Sequence, residues 1–183
     1  MMIERIRREH GYMTRLLAIL KRKLQRLKNE QAVNYSLIKE IVDYLCSHSE
    51  AAHHPKEDLI YQYYMEKYGE REYIADLEAD HRNLSEKTHQ FLDVIDMILQ
   101  DVIVPQDVFI NQLSDFIVEQ KRHLDLEEKE ILPLIKQTFT VEDWQHVEGQ
   151  WTQNEDDPVF GETIADRYKQ LAQLVREEML ESK

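Results

Sequence analysis

Four long stretches of this chain carry apolar residues at steps of three and four, and almost nothing inside them can make a turn. Four glycines and four prolines in 183 residues leave room for long helices and few connections. The stripe Ile3, Ile6, His10, Met13, Leu17, Leu20, Leu24, Leu27 predicts a first helix from about Ile3 to Leu27. A second runs from about Ser36 to Tyr68 and stops at Gly69, a good residue to end a helix. A third spans about Glu70 to Gln100, and a fourth about Gln106 to Gln137. Asn29 to Asn34 and Asp101 to Pro105 read as connections, and Pro55 and Pro133 should bend the helices that contain them.

Helices of similar length with short links pack as an all-α, antiparallel up-down-up-down four-helix bundle, here over residues 1–140. Residues 141–183 form a C-terminal extension. It begins as an irregular stretch containing Trp144, Trp151 and an Asp156-Asp157-Pro158 turn. A helix follows from about Glu162 to Glu181, with Ile164, Tyr168, Leu171, Leu174, Val175 and Met179 as its apolar residues. It is expected either to pack across the bundle or to join a second copy in a homodimer.

The apolar stripes are interrupted by polar residues at matched places. His10 precedes His53 by 43 residues, and His81 precedes His123 by 42. His53 is followed four residues later by Glu57, and His123 by Glu127. That spacing stacks the two side chains one turn apart on one helical face. The chain thus reads as two αα-hairpins related by a pseudo-twofold axis, a repeat of pattern rather than of identity. One histidine on an apolar stripe is ordinarily a satisfied core residue. Four histidines and two glutamates at matched depth in four helices point instead to a metal site, because buried carboxylates need a counter-charge.

The ligand types narrow the metal. Structural zinc favours thiolates, and Cys46 is the only one on offer. Calcium and magnesium favour all-oxygen shells. Imidazole mixed with carboxylate suits iron or manganese. Six side chains suit two ions bridged by both glutamates: about eight bonds of the roughly twelve that two octahedra need. A bridging oxo or hydroxo group supplies about two more, and the remaining open positions are where a small ligand binds.

A net charge of −13 argues against a nucleic-acid partner. No apolar run approaches a membrane span, nothing resembles a secretory leader, and a single cysteine fits a reducing cytoplasm. The basic outer face of the first helix, Arg5 to Lys28, reads as a solvated face beside an acidic remainder. Gly11 is a mild helix penalty. His48 and His146 are expected to be exposed, and His89 to lie at the surface. Cys46 reads as a small buried hydrophobe, and Tyr44, Tyr61 and Tyr64 as aromatic packing ahead of the alternative, a phenol near the metals that hydrogen-bonds a bound ligand.

Glu9-His10, His53-His54-Pro55-Lys56-Glu57-Asp58, Asp80-His81 and His123-Leu124-Asp125-Leu126-Glu127-Glu128, followed by Ile131-Leu132-Pro133, together resemble the hemerythrin-like, or HHE cation-binding, domain. The resemblance covers about residues 1 to 137, and the two His-x-x-x-Glu motifs are its most specific parts. It implies a four-helix bundle holding two non-haem iron ions, with His10, His53, His81 and His123 as nitrogen ligands and Glu57 and Glu127 bridging. His54 with Asp58 has the same spacing as His53 with Glu57, which is the favoured pair because Leu124 stands at the matching place after His123. Leu77 and Ser85 stand where oxygen carriers of the family have a further histidine. The site therefore resembles the four-histidine, two-glutamate version linked to iron–sulfur cluster repair and nitrosative stress. What is implied is a small diatomic ligand or peroxide as partner, bound for sensing, storage or stress response, or turned over by a di-iron enzyme or iron donor.

Overall fold

A computed structural model describes residues 1–69, 71–152 and 156–181. The described chain is all-helical. Helix α1 (Met2–Lys28) leads through a short connection to α2 (Tyr35–His48), whose first turn is capped by the Asn34 side chain accepting from Leu37 N–H at 3.1 Å. A π turn (Ser49–His53) carries α2 directly into α3 (His54–Tyr68), which ends at Gly69 with φ +92°. Glycine meets that positive φ without the Cβ clash other residues suffer. Then come α4 (Glu72–Leu99), α5 (Gln106–Leu126), a second π turn (Glu127–Ile131) and α6 (Leu132–Thr138). The expected start of the third helix at Glu70 lies outside the described residues; the helix begins at Glu72.

The prolines interrupt the regular α-helical pattern without ending the helical run. Each π turn ends two residues before a proline, Pro55 or Pro133. His54 N–H reaches back to Ser49 C=O, and Leu132 N–H to Glu127 C=O. The widened turn absorbs the missing donor and the ring clash that a proline brings to a regular helix, so the chain stays helical on both sides.

Two apolar clusters form the core, and the polar residues lie between them. One cluster takes Met13 to Leu27 of α1, Leu37 to Leu45 of α2, Phe91 and Ile95 of α4, and Phe109 to Leu124 of α5. The other takes Met2, Ile3 and Ile6 of α1, Ile60, Tyr61 and Tyr64 of α3, Ile74 and Leu77 of α4, and Ile131 to Ile135 around α6. α1, α4 and the continuous pairs α2–α3 and α5–α6 each pass from one cluster to the other through a histidine or a His/Glu pair.

The C-terminal region folds back on this core. Trp144, expected in an irregular stretch, sits in helix α7 (Val141–Gln150). That helix starts with a capping box between Thr140 and Asp143, a motif legible as Thr-x-x-Asp. A 3-10 turn (Asp166–Tyr168) opens α8 (Lys169–Glu181), later than the expected Glu162. Val159, Tyr168, Leu171 and Val175 join the first cluster, and the Tyr168 hydroxyl donates to Asp43 Oδ2 at 2.7 Å. The side chain of Met179, assigned above to the apolar stripe, lies outside the described residues. Part of the basic face of α1 meets this helix: Arg15 donates to Val175 C=O, and Arg22 pairs with Glu178. Among the described residues no helix is long and apolar enough to cross a membrane.

Candidate metal centre

The six residues singled out in the sequence converge between the two apolar clusters. His10, His53, His81 and His123 are 1–4% exposed, and Glu57 and Glu127 are fully buried. They form two groups that share both carboxylates. His10, His53, Glu57 and Glu127 make one, and His81, His123, Glu57 and Glu127 the other. Pro55 does not separate the pair around it, since His53 Nε2 is in contact with Glu57 Oε1.

The carboxylates divide their oxygens between the halves. Glu57 turns Oε1 to His10 Nε2 (3.4 Å) and Oε2 toward His81 Nε2 (3.7 Å). Glu127 turns Oε2 to His10 Nε2 (3.3 Å) and Oε1 to His81 Nε2 (3.2 Å) and His123 Nε2 (3.3 Å). Neighbouring donors on a six-coordinate ion with bonds of about 2.1 Å lie about 3 Å apart. These separations have that scale, whereas not all have hydrogen-bond geometry. His123 Nε2 and Glu127 Oε2 are buried without any hydrogen-bond partner, and an orphaned buried polar atom needs an explanation. A cation between the donors supplies one.

The hemerythrin HHE cation-binding domain family model matches residues 1–135. The chain belongs to that family. No curated protein and no solved structure matches it. As a hemerythrin-family domain it binds cations, and its two His/Glu groups are able to hold them.

Around the inner residues of this hemerythrin domain runs a ring of carboxylates that the sequence pattern did not assign to a role. Each histidine places its Nδ1 on an acid from the adjacent helix. His10 meets Glu128 Oε1 at 2.9 Å, His53 meets Glu9 Oε2 at 2.6 Å, His81 meets Asp58 Oδ1 at 2.8 Å and His123 meets Asp80 Oδ2 at 2.7 Å. Each acid is the sequence neighbour of an inner residue: Glu9 of His10, Asp58 of Glu57, Asp80 of His81, Glu128 of Glu127. The ring fixes which nitrogen faces inward and raises its basicity. Burial alone would lower the histidine pKa values. Asp58 and Glu127 instead lift His81 to about 10, and Glu127 with Asp80 lifts His123 to about 9.

His54 and Asp58 both lie beside His81, and His54, His81 and His123 form a further group close enough to hold an ion. Asp58 backs His81 from outside, while His54 stacks on the His81 ring at 4.0 Å and 8°. Burial, with His81 and His53 nearby, pushes the pKa of His54 far down, so its ring is neutral. Leu77 belongs to the second apolar cluster, and Ser85 hydrogen-bonds to Glu50.

Two more side chains take part: Lys56, to which the sequence pattern gave no role, and Tyr61, for which it favoured packing. Lys56 is fully buried, with Nζ on Glu9 Oε1. Tyr61, expected as core packing, holds its hydroxyl 3.1 Å from Glu57 Oε2 and 3.0 Å from Glu127 Oε1, so its single proton reaches either carboxylate. Burial and the Glu127 charge keep that phenol protonated. Tyr44 faces elsewhere and donates to Asp157 Oδ2 at 2.6 Å. His48 is a correction: it is 8% exposed, stacked on Tyr44, with Nε2 3.6 Å from Asp157 Oδ2. The segment around Asp157 folds back over α2 and covers it. His89 and His146 are exposed, as expected.

Proposed function

We propose that this protein is a cytoplasmic non-haem di-iron protein binding oxygen, nitric oxide or peroxide for sensing, storage or a stress response. The single observation that carries the proposal is the sharing of oxygens. Each of Glu57 and Glu127 presents one oxygen to the His10 side and the other to the His81 side, which is how a carboxylate bridges two ions. On this reading His10 and His53 would hold one iron, His81 and His123 the other, and Glu57 and Glu127 would serve both. Imidazole with carboxylate favours iron over an all-oxygen or a thiolate metal. The fold follows the same logic. α1 and α4 run from the second apolar cluster to the first, while α2–α3 and α5–α6 return, which supports an antiparallel up-down-up-down four-helix bundle over residues 1–140. Residues 141–183 are assigned as the C-terminal extension, of which α7 packs on α3 and α8 on α2.

Iron held there would supply a Lewis-acid, redox-active centre for a small ligand. The protein's share is to exclude water with its apolar clusters and to hold the imidazoles in register through the acid ring. Tyr61 favours a second reading, turnover, because it sets a proton donor beside the His81 half of the site.

Anaerobic loading of metal-free protein with ferrous iron, followed by oxygen, tests the first reading. Two irons per chain and new visible charge-transfer absorption on oxidation are expected. One iron per chain, or no spectral change, overturns it. Glu127→Ala should abolish paired loading, whereas His48→Ala should leave it intact. For the second reading, Tyr61→Phe should still load two irons but slow peroxide or nitric oxide consumption at least tenfold; unchanged turnover refutes the role of Tyr61.

A further inference from the structure

Away from the inner centre, three side chains of different donor type meet between α2 and α4. Cys46 and Glu50 stand one turn apart across the start of the first π turn, and His89 faces them from α4. Cys46 Sγ lies 3.4 Å from His89 Nε2 and 3.5 Å from Glu50 Oε1, and His89 Nε2 lies 2.8 Å from Glu50 Oε1. A tetrahedral ion with a sulfur bond of about 2.3 Å and nitrogen and oxygen bonds of about 2.0–2.2 Å sets its donors about 3.4–3.6 Å apart. Two edges of the observed triangle have that length already. The third opens by about half an ångström through movement of side chains that are 59% and 36% exposed.

The geometry points to a second, mononuclear site, in which Cys46, Glu50 and His89 bind one borderline divalent transition-metal ion such as zinc(II). Sulfur, nitrogen and oxygen donors together select such an ion over calcium or magnesium. A groove of about 350 Å³ opens beside the cluster, lined by Glu50, Ser85 and His89 together with His54, Asp58 and His81. It gives solvent and an incoming ion access to Glu50 and His89. In the metal-free protein burial and the Glu50 and Asp43 charges push the Cys46 thiol up to about 12. Binding therefore replaces the thiol proton, which passes to solvent, with the ion's charge. The thiol stays inert until a cation arrives. The three donors are distinct from those of the inner centre, which include no sulfur.

Cobalt(II) reports the site directly, because only a cysteine ligand gives a sulfur-to-cobalt charge-transfer band in the near ultraviolet, and Cys46 is the chain's sole cysteine. Titration of the metal-free full chain should develop that band to the intensity of one thiolate-bound cobalt per chain, beside the cobalt taken up by the inner centre, and zinc(II) should bleach it. Cys46→Ser should remove it while leaving the visible cobalt bands of the inner centre. His89→Ala should weaken binding at least tenfold, and Glu127→Ala should leave the band in place. No sulfur band at saturating cobalt overturns the site, as does a band unaffected by both His89→Ala and Glu50→Ala. A failure of the inner centre would show separately, as loss of the sulfur-free cobalt bands.

Discussion

Replacing Glu9 by glutamine should destabilise the metal-free protein more than replacing any other acid of the ring. Glu9 is 5% exposed and serves two buried donors, the Nδ1 of His53 at 2.6 Å and the ammonium of a fully buried Lys56. Glutamine keeps the shape but offers one acceptor where two donors converge, and it leaves the ammonium without its charge partner. Breaking a buried pair from one side costs about 3–5 kcal/mol. The carboxyl itself gives the same size. Burial would raise its pKa, yet His53 and Lys56 bring it from 4.5 down to about 2, which is about 3 kcal/mol of folding stability at neutral pH. Asp58, Glu128 and Asp80 are 30, 27 and 23% exposed; water can replace the lost contact, and about 1 kcal/mol each is expected. With a urea dependence of about 2 kcal/mol per M, the midpoint should fall by about 1.5–2.5 M for Glu9→Gln and by about 0.5 M for the others. Adding Lys56→Met should restore at least half of the loss. The gap from wild type should be complete above about pH 5 and should close as pH falls through 4.5 toward about 2, because a lowered carboxyl pKa stabilises only while the group is ionised. A Glu9→Gln midpoint within about 0.5 M of wild type, or a loss that persists undiminished beside Lys56→Met, refutes the reasoning.

Three further outcomes are expected. Asp80→Asn removes the charge behind His123, held at 2.7 Å, and should weaken metal binding 10- to 100-fold by roughly the margin known for such supporting acids; chelator competition measures it. Asp143 receives Tyr63, Lys67, Tyr68 and the Thr140 N–H, so Asp143→Ala should lower stability by about 2 kcal/mol in thermal unfolding and release α7 from α3. Burial would raise the Asp143 pKa, but Lys67 and Tyr68 hold it well below the usual carboxylate range. Its contribution is therefore present above about pH 4 and fades as pH drops further, and acid unfolding of wild type and variant should converge. Gly11 is exposed and a Cβ there meets nothing within 4 Å, so Gly11→Ala should raise stability by about 1 kcal/mol, and a fall in the melting temperature would contradict this.

The helices and the inner residues were legible because both rest on local periodicity. An apolar stripe repeats at 3.6 residues, and a histidine that breaks it is visible without any knowledge of the partner helix. The acid ring was not legible in the same way. Glu9, Asp58, Asp80 and Glu128 each lie one residue from an inner side chain, about 100° around the helix, so by periodicity they read as solvated flanks. Only the neighbouring helix gives them a role, and it does so in a closed sequence. Glu9 of α1 serves His53 at the α2–α3 junction, Asp58 of α3 serves His81 of α4, Asp80 of α4 serves His123 of α5, and Glu128 beyond α5 returns to His10 of α1. A helix that shifted by one turn would strip an imidazole from its acid on one side and an acid from its imidazole on the other. The ring therefore fixes the register of four helices against one another, which apolar packing alone tolerates more loosely. Lys56 was hidden for the opposite reason. A lysine four residues before Ile60 and next to Pro55 looks like surface, and its burial becomes intelligible only once Glu9 is known to face it. His48 was misjudged because the segment that covers it arrives from more than a hundred residues away, through Asp157. Local pattern identifies what the core must contain, and the long-range acids decide how rigidly it is held.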